Sequence, residues 1–284
     1  ISTISVTGDI VSGSAGAVTI QSSSDQGNVA NVINLNNLTS NADGLYIIGS
    51  TNIGTSTTDL TVSGQIKSTS SGIVLNSYVD DGNAVANFDI NSVTSVYDAI
   101  YISNLVSGTD NGKSVVNVTT RGEIVSQDGY GIYTESNSSD TYITVAGLVR
   151  GGNDTAVGIY TLDGAQRSAT LELQSGYVLE GITQALVMNS NYFDLPSSSL
   201  DLPNGHLVLG GAENATFDLS RIDNREEAIF NGDPNRITGF GTLAKTGNGV
   251  WTLVGTNTAN GAVNLFSSAN VEKGVLALDS ATLG

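Results

Sequence analysis

A short motif, apolar-x-apolar-x-(Gly/Asn)-x-apolar, opens the chain as ISVTGDI and then keeps returning. Its last apolar residue recurs as Ile10, Leu38, Ile66, Val93, Ile124, Val149, Val178 and Leu207, at spacings of 28, 28, 27, 31, 25, 29 and 29. Gly8, Gly64, Gly122, Gly147 and Gly176 fill one turn slot of the motif, and Asn36 fills it once. A second motif follows each anchor: AVTI, LYII, IVLN, IYIS, IYTE, IYTL and LVMN, beginning at Ala17, Leu45, Ile73, Ile100, Ile132, Ile159 and Leu186. A fixed period of this size marks a chain built of stacked units, none of which can bury its apolar side alone.

Within each repeat the runs are short, alternating and rich in β-branched residues, separated by Gly, Asn, Asp and Ser. That is a strand-and-turn pattern, and no run of ten or more residues has capped helical periodicity. Three short strands per repeat give one rung of a right-handed parallel β-helix, an all-β solenoid. Eight repeats and the C-terminal segment predict about ten rungs, a rod about 50 Å long at ~4.8 Å per stacked strand. Three regions are expected: regular rungs over 1–190, irregular rungs with a projecting loop over 191–236, and C-terminal rungs over 237–284.

Side chains alternate between faces along a strand. Ala17, Leu45, Ile73, Ile100, Ile132, Ile159 and Leu186 should therefore point into the bore. The residues after them should form an outward column: Val18, Tyr46, Val74, Tyr101, Tyr133, Tyr160 and Val187. Cross-rung stacking alone accounts for aligned tyrosines. An exposed aromatic stripe is also a contact surface, because Tyr offers large area at low entropic cost. Tyr46, Tyr101, Tyr133 and Tyr160 are accordingly candidate partner-binding residues.

Composition removes whole classes. Acids outnumber bases 27 to 10, for a formal net charge of -17, and residues 1–66 contain no Lys or Arg. Such a chain lacks the basic footprint that nucleic acid or an anionic membrane requires. No apolar run approaches the roughly 18 residues of a membrane-spanning helix. With no Cys there is no disulfide, thiolate metal site or cysteine nucleophile. No signal peptide stands at residue 1, as expected of a mature chain or an excised fragment.

Residues 239–278 change character: Gly becomes dense, with apolar residues alternating between. Gly239, Gly241, Leu243, Lys245, Gly247, Gly249, Leu253, Gly255, Asn257 and Gly261, then Val271, Gly274, Leu276 and Leu278, follow GxGxLxKxGxGxxxLxGxNxxxG closing with VxxGxLxL. This stretch resembles the autotransporter-associated β-strand repeat of Gram-negative passenger domains, with Ala259 where an aromatic is commoner. The upstream repeats resemble passenger β-helices generically. The resemblance implies type V export through an outer membrane, C-terminus first. It also implies a secreted chain or one displayed on the cell surface, anchored by a barrel outside this sequence. The sequence itself has no barrel pattern of lipid-facing strands flanked by aromatic girdles.

Between the regular rungs and that motif, residues 191–236 hold all three Pro and the only His, His206. Eight charged residues crowd 218–236: Asp218, Arg221, Asp223, Arg225, Glu226, Glu227, Asp233 and Arg236. This reads as a projecting, salt-laced loop, with a short helix expected around DNREEAIF. Loops on rigid scaffolds carry function, so Arg221, Arg225, Glu226 and Glu227 join the candidate contact residues.

Catalytic patterns are thin. His206 is the sole base for a serine triad, and no GxSxG elbow occurs. Asp80 and Asp81, in YVDDGN, are the best carboxylate pair for a β-helix carbohydrate-active enzyme, yet turns favour Asp for local hydrogen bonds. GGNDTAVG at 151–158 resembles a calcium turn but occurs once, where such nonapeptides come in tandem. The expectation is a non-enzymatic chain with no metal or cofactor. It acts by binding, as an adhesin for a host cell-surface or matrix protein or glycan. Alternatives are a released virulence ligand for a host receptor, self-association that aggregates bacteria, and a carbohydrate-active enzyme.

Overall fold

The computed structural model describes residues 2–13, 16–107, 112–137, 139–162, 168–188, 205–224, 235–255 and 266–279. These residues form a parallel β-solenoid of about 8 turns. The inward column Ile4, Ile33, Leu60, Phe88, Val118, Ile143, Leu171, Leu207, Leu243 and Ala269 runs through ten strands. The repeat predicts about ten rungs, whereas the solenoid has about 8 turns, although ten strands stack on this one face. The long strands Leu45–Ser68 and Ile73–Ser95 each pass round three faces, pairing with the same neighbour all the way.

Alternation produces the bore. Burial along Ile100–Val106 switches at every residue, and Ile100, Ile102 and Val106 are buried. One apolar cluster extends from Ile20 to Leu253, the shared core that no single rung could supply. Outside, polar side chains stack as ladders: Asn87 donates to Asp59 (2.7 Å) and Asn117 to Asn87 (2.8 Å).

The anchor column is correct for six positions and then shifts. Ile10, Leu38, Ile66, Val93, Ile124 and Val149 stack in register. The next residue in the column is Leu179, 4% exposed, whereas Val178 points outward at 46%. Leu207 belongs to a different face, between Leu171 and Leu243. A change of one residue in a turn reverses which side chains face the bore, and this happens also at both ends of the second motif. Val18, not Ala17, stacks on Leu45, and Ala185, not Leu186, stacks on Ile159. In the irregular region Gly205–Leu209 and Ala215–Asp218 are rung strands, followed by a single 3-10 turn, Leu219–Arg221. The helix expected around DNREEAIF lies mostly outside the described residues.

Candidate functional site

The second motif builds one face of the rod, hereafter the tyrosine face: residues 18–26, 45–53, 73–81, 100–106, 132–137, 155–162 and 182–188. Its outward column in register is Thr19, Tyr46, Val74, Tyr101, Tyr133, Gly158 and Gln184. Tyr46, Tyr101 and Tyr133 therefore stand where the alternation places them. Tyr101 and Tyr133 lie on adjacent rungs with ring centroids 4.9 Å apart and planes 2° apart, so each ring covers a face of the other. Tyr46 accepts a 3.0 Å hydrogen bond from Asn76 of the next rung.

Tyr160 departs from the expected register. Its strand pairs two residues later, Val157 on Ile132 and Gly158 on Tyr133, which puts Tyr160 opposite Glu135. A shift of two keeps the side chain outward. The ring then folds back over the vacancy at Gly158, where a Cβ would lie 2.6 Å from Tyr160 Cε2. There it reaches Tyr133, centroids 4.9 Å apart and tilted 32°, and accepts a hydrogen bond from Gln184 Nε2. Tyr130, from the preceding corner, meets Tyr133 edge-on at 5.0 Å and Tyr160 at 6.4 Å. Sequence reading missed Tyr130, whose only signal was its place in the turn QDGYG.

The face is acidic. Its seven strands contain Asp25, Asp80, Asp81 and Glu135 and no Lys, Arg or His. The corner beside the aromatic cluster adds Asp98 and Asp128. Asp98 accepts the Tyr130 N–H at 2.8 Å, and burial raises its carboxyl above the ordinary carboxylate value despite that bond. Burial likewise raises the Tyr101 hydroxyl, helped by the negative charges of Glu135 and Asp98. Burial of Tyr160 raises its hydroxyl strongly, and it is 6% exposed. Tyr133 donates to Glu135 at 3.4 Å.

The loop candidates fare differently. Arg221 Nη2 donates to the Leu179 carbonyl (3.0 Å) and Nε to the Asn235 carbonyl (2.8 Å). Its guanidinium thus staples the irregular region to a rung. Arg225, Glu226 and Glu227 lie outside the described residues. Asp80 accepts from Ser107 Oγ (2.8 Å) beside Gly82, whose φ of 139° makes the turn. His206 Nδ1 bonds Thr242 Oγ1 at 2.6 Å across two rungs.

The C-terminal glycine-rich motif acquires a physical reading. Lys245 is fully buried, and its Nζ donates to the carbonyls of Thr246, Gly247 (3.1 Å) and Lys273 (3.2 Å). It clamps one turn to the equivalent turn a rung later. Desolvation lowers its ammonium below the usual lysine value. Trp251, also fully buried, donates to the Gly210 carbonyl at 2.8 Å and packs on Tyr177 at 5.8 Å.

Comparison with known proteins found no matching family model, curated protein or solved structure.

Proposed function

We propose that this chain is part of an autotransporter passenger, displayed on or released from a Gram-negative cell surface, and that it acts by binding, as an adhesin for host cells or matrix. The observation that carries the binding reading is the tyrosine face. A rigid solenoid presents stacked, half-buried Tyr101 and Tyr133, backed by buried Tyr160 and with Tyr130 against them, on seven strands free of basic residues. Large ordered aromatic side chains give contact area without further ordering cost. Repetition along the rod adds weak contacts together. The passenger reading is supported by the glycine-rich motif, whose Lys245 and Trp251 hold successive C-terminal turns together.

The test is binding of the fluorescently labelled monomer to cultured epithelial and endothelial cells, with unlabelled competitor. Saturable, competable binding supports an adhesive role. Concentration-dependent dimers without cell binding would replace it with self-association. Receptor phosphorylation at sub-saturating dose would replace it with a signalling ligand.

A further inference from the structure

We infer that the tyrosine face takes a cationic partner: an extended, arginine-bearing segment of another protein. The inference rests on the binding reading above and adds the chemistry of the partner. Three observations lead to it.

Both ring faces of Tyr133, at the centre of the cluster, are already occupied. Tyr101 and Tyr133 are parallel at 4.9 Å, Tyr160 covers Tyr133 from the next rung, and Tyr130 closes the cluster edge-on. A sugar ring that stacks on aromatic faces finds those of Tyr133 covered. What remains partly exposed is Tyr101 and Tyr133 on adjacent rungs, Tyr160 being buried.

The polar groups beside that pair accept hydrogen bonds and carry negative charge. Glu135 lies within the face, and Asp98 and Asp128 line its corner, beside Tyr97, which is 55% exposed. A guanidinium brings only donors, in a planar fork that matches carboxylate and phenol oxygens.

Among the described residues, the bases stand off the seven strands of the face. Elsewhere on the rod, exposed Arg121 pairs with Asp89 and Arg150 with Glu180. Lys245 is buried. The seven strands of the tyrosine face bring no base. An identical copy would present the same acidic surface, and like potentials oppose face-to-face pairing. Charge therefore favours a basic partner over a second copy of the chain.

The experiment uses the full chain and a fluorescein-labelled peptide of alternating Arg and Ser, followed by anisotropy at physiological salt. A peptide with citrulline for Arg supplies the neutral isostere, and a neutral hexasaccharide supplies the glycan arm. Tyr101→Ser/Tyr133→Ser and Asp128→Asn/Glu135→Gln alter the face. Asp140→Asn/Glu213→Gln removes the same charge from elsewhere on the rod. Circular dichroism verifies that each variant keeps the wild-type spectrum. The expected result is saturable binding of the Arg peptide, weakened about tenfold by either face variant and less than twofold by the control. The citrulline peptide should not bind.

Equal loss in the control variant, preference for the hexasaccharide, or no Arg-peptide binding would overturn the inference. The two levels separate on cells. Cell binding that needs Tyr101 and Tyr133 but is not competed by the Arg peptide keeps the binding face and removes the cationic partner. Cell binding indifferent to the tyrosines removes both.

Discussion

Gly158→Ala gives a sign test of the aromatic cluster. Gly158 has no left-handed backbone requirement, so alanine introduces no backbone strain. In an ordinary strand interior the change stabilises by about 0.5–1 kcal/mol, because Gly loses more conformational freedom on folding. Here the new Cβ would sit 2.6 Å from Tyr160 Cε2 and 3.2 Å from its Cζ and hydroxyl oxygen. The ring cannot slide inward, since Tyr133 and Tyr130 flank it, so it must lift. Lifting forfeits a tyrosine stack worth about 0.5–1.5 kcal/mol. It also breaks the Gln184 hydrogen bond, worth about 0.5–1.5 kcal/mol. Against the alanine gain, the net is a loss of up to about 2.5 kcal/mol, centred on ~1 kcal/mol. Urea denaturation followed by far-UV circular dichroism reads the sign from the midpoint, and hydrogen exchange reads its location. A Tyr160→Ala background completes the cycle: there Gly158→Ala should stabilise. Stabilisation in the wild-type background instead would mean that Tyr160 does not fill the Gly158 vacancy.

Further expectations follow from the same geometry. The hydroxyls of Tyr101, Tyr142, Tyr160 and Tyr177 are raised in the folded chain above the ordinary 10.0. The folded state therefore holds protons that the unfolded state releases, and stability present below pH 10 should fall as pH rises beyond it. Lys245, lowered by burial, works the other way, adding stability as pH climbs toward its ordinary 10.5. Four tyrosines against one lysine predict a lower denaturant midpoint at pH 11 than at pH 9, with the part of the tyrosinate absorbance that belongs to these four delayed until unfolding. Lys245→Met should cost about 1–3 kcal/mol by leaving turn carbonyls without their donor. Hydrogen exchange should place that loss within 246–278, and equal loss across all rungs would contradict the clamp. Trp251 is the single tryptophan and fully buried, so its emission should be blue-shifted and report C-terminal unfolding.

The period and the alternation were legible because strand geometry imposes them. A 28-residue recurrence with β-branched runs specifies stacked rungs, and outward Tyr46, Tyr101 and Tyr133 follow from a period of two. Register beyond a turn was not legible, because turn length is free while strand pairing is set by three-dimensional fit. Val178 and Leu179 are both apolar neighbours, and only stacking on Val149 decides between them. Tyr160 looked like the next member of the column because IYTL resembles IYTE. The pairing follows Val157 on Ile132 instead, and a glycine with no side chain lets the ring return to the stack. Arg221 shared the charged pattern of a solvated loop, while its partners are backbone carbonyls, which leave no trace in sequence. Lys245 was visible as a motif position, but its burial arises from the turn of the following rung.

The most direct measurement of the central claim compares wild type with Tyr101→Ser/Tyr133→Ser in saturable binding to cultured cells, both purified as monomers with matching circular dichroism. The account predicts competable wild-type binding that weakens about tenfold in the variant, as the loss of central aromatic contacts should. Undiminished binding by the variant would contradict the assignment of the tyrosine face as the contact surface.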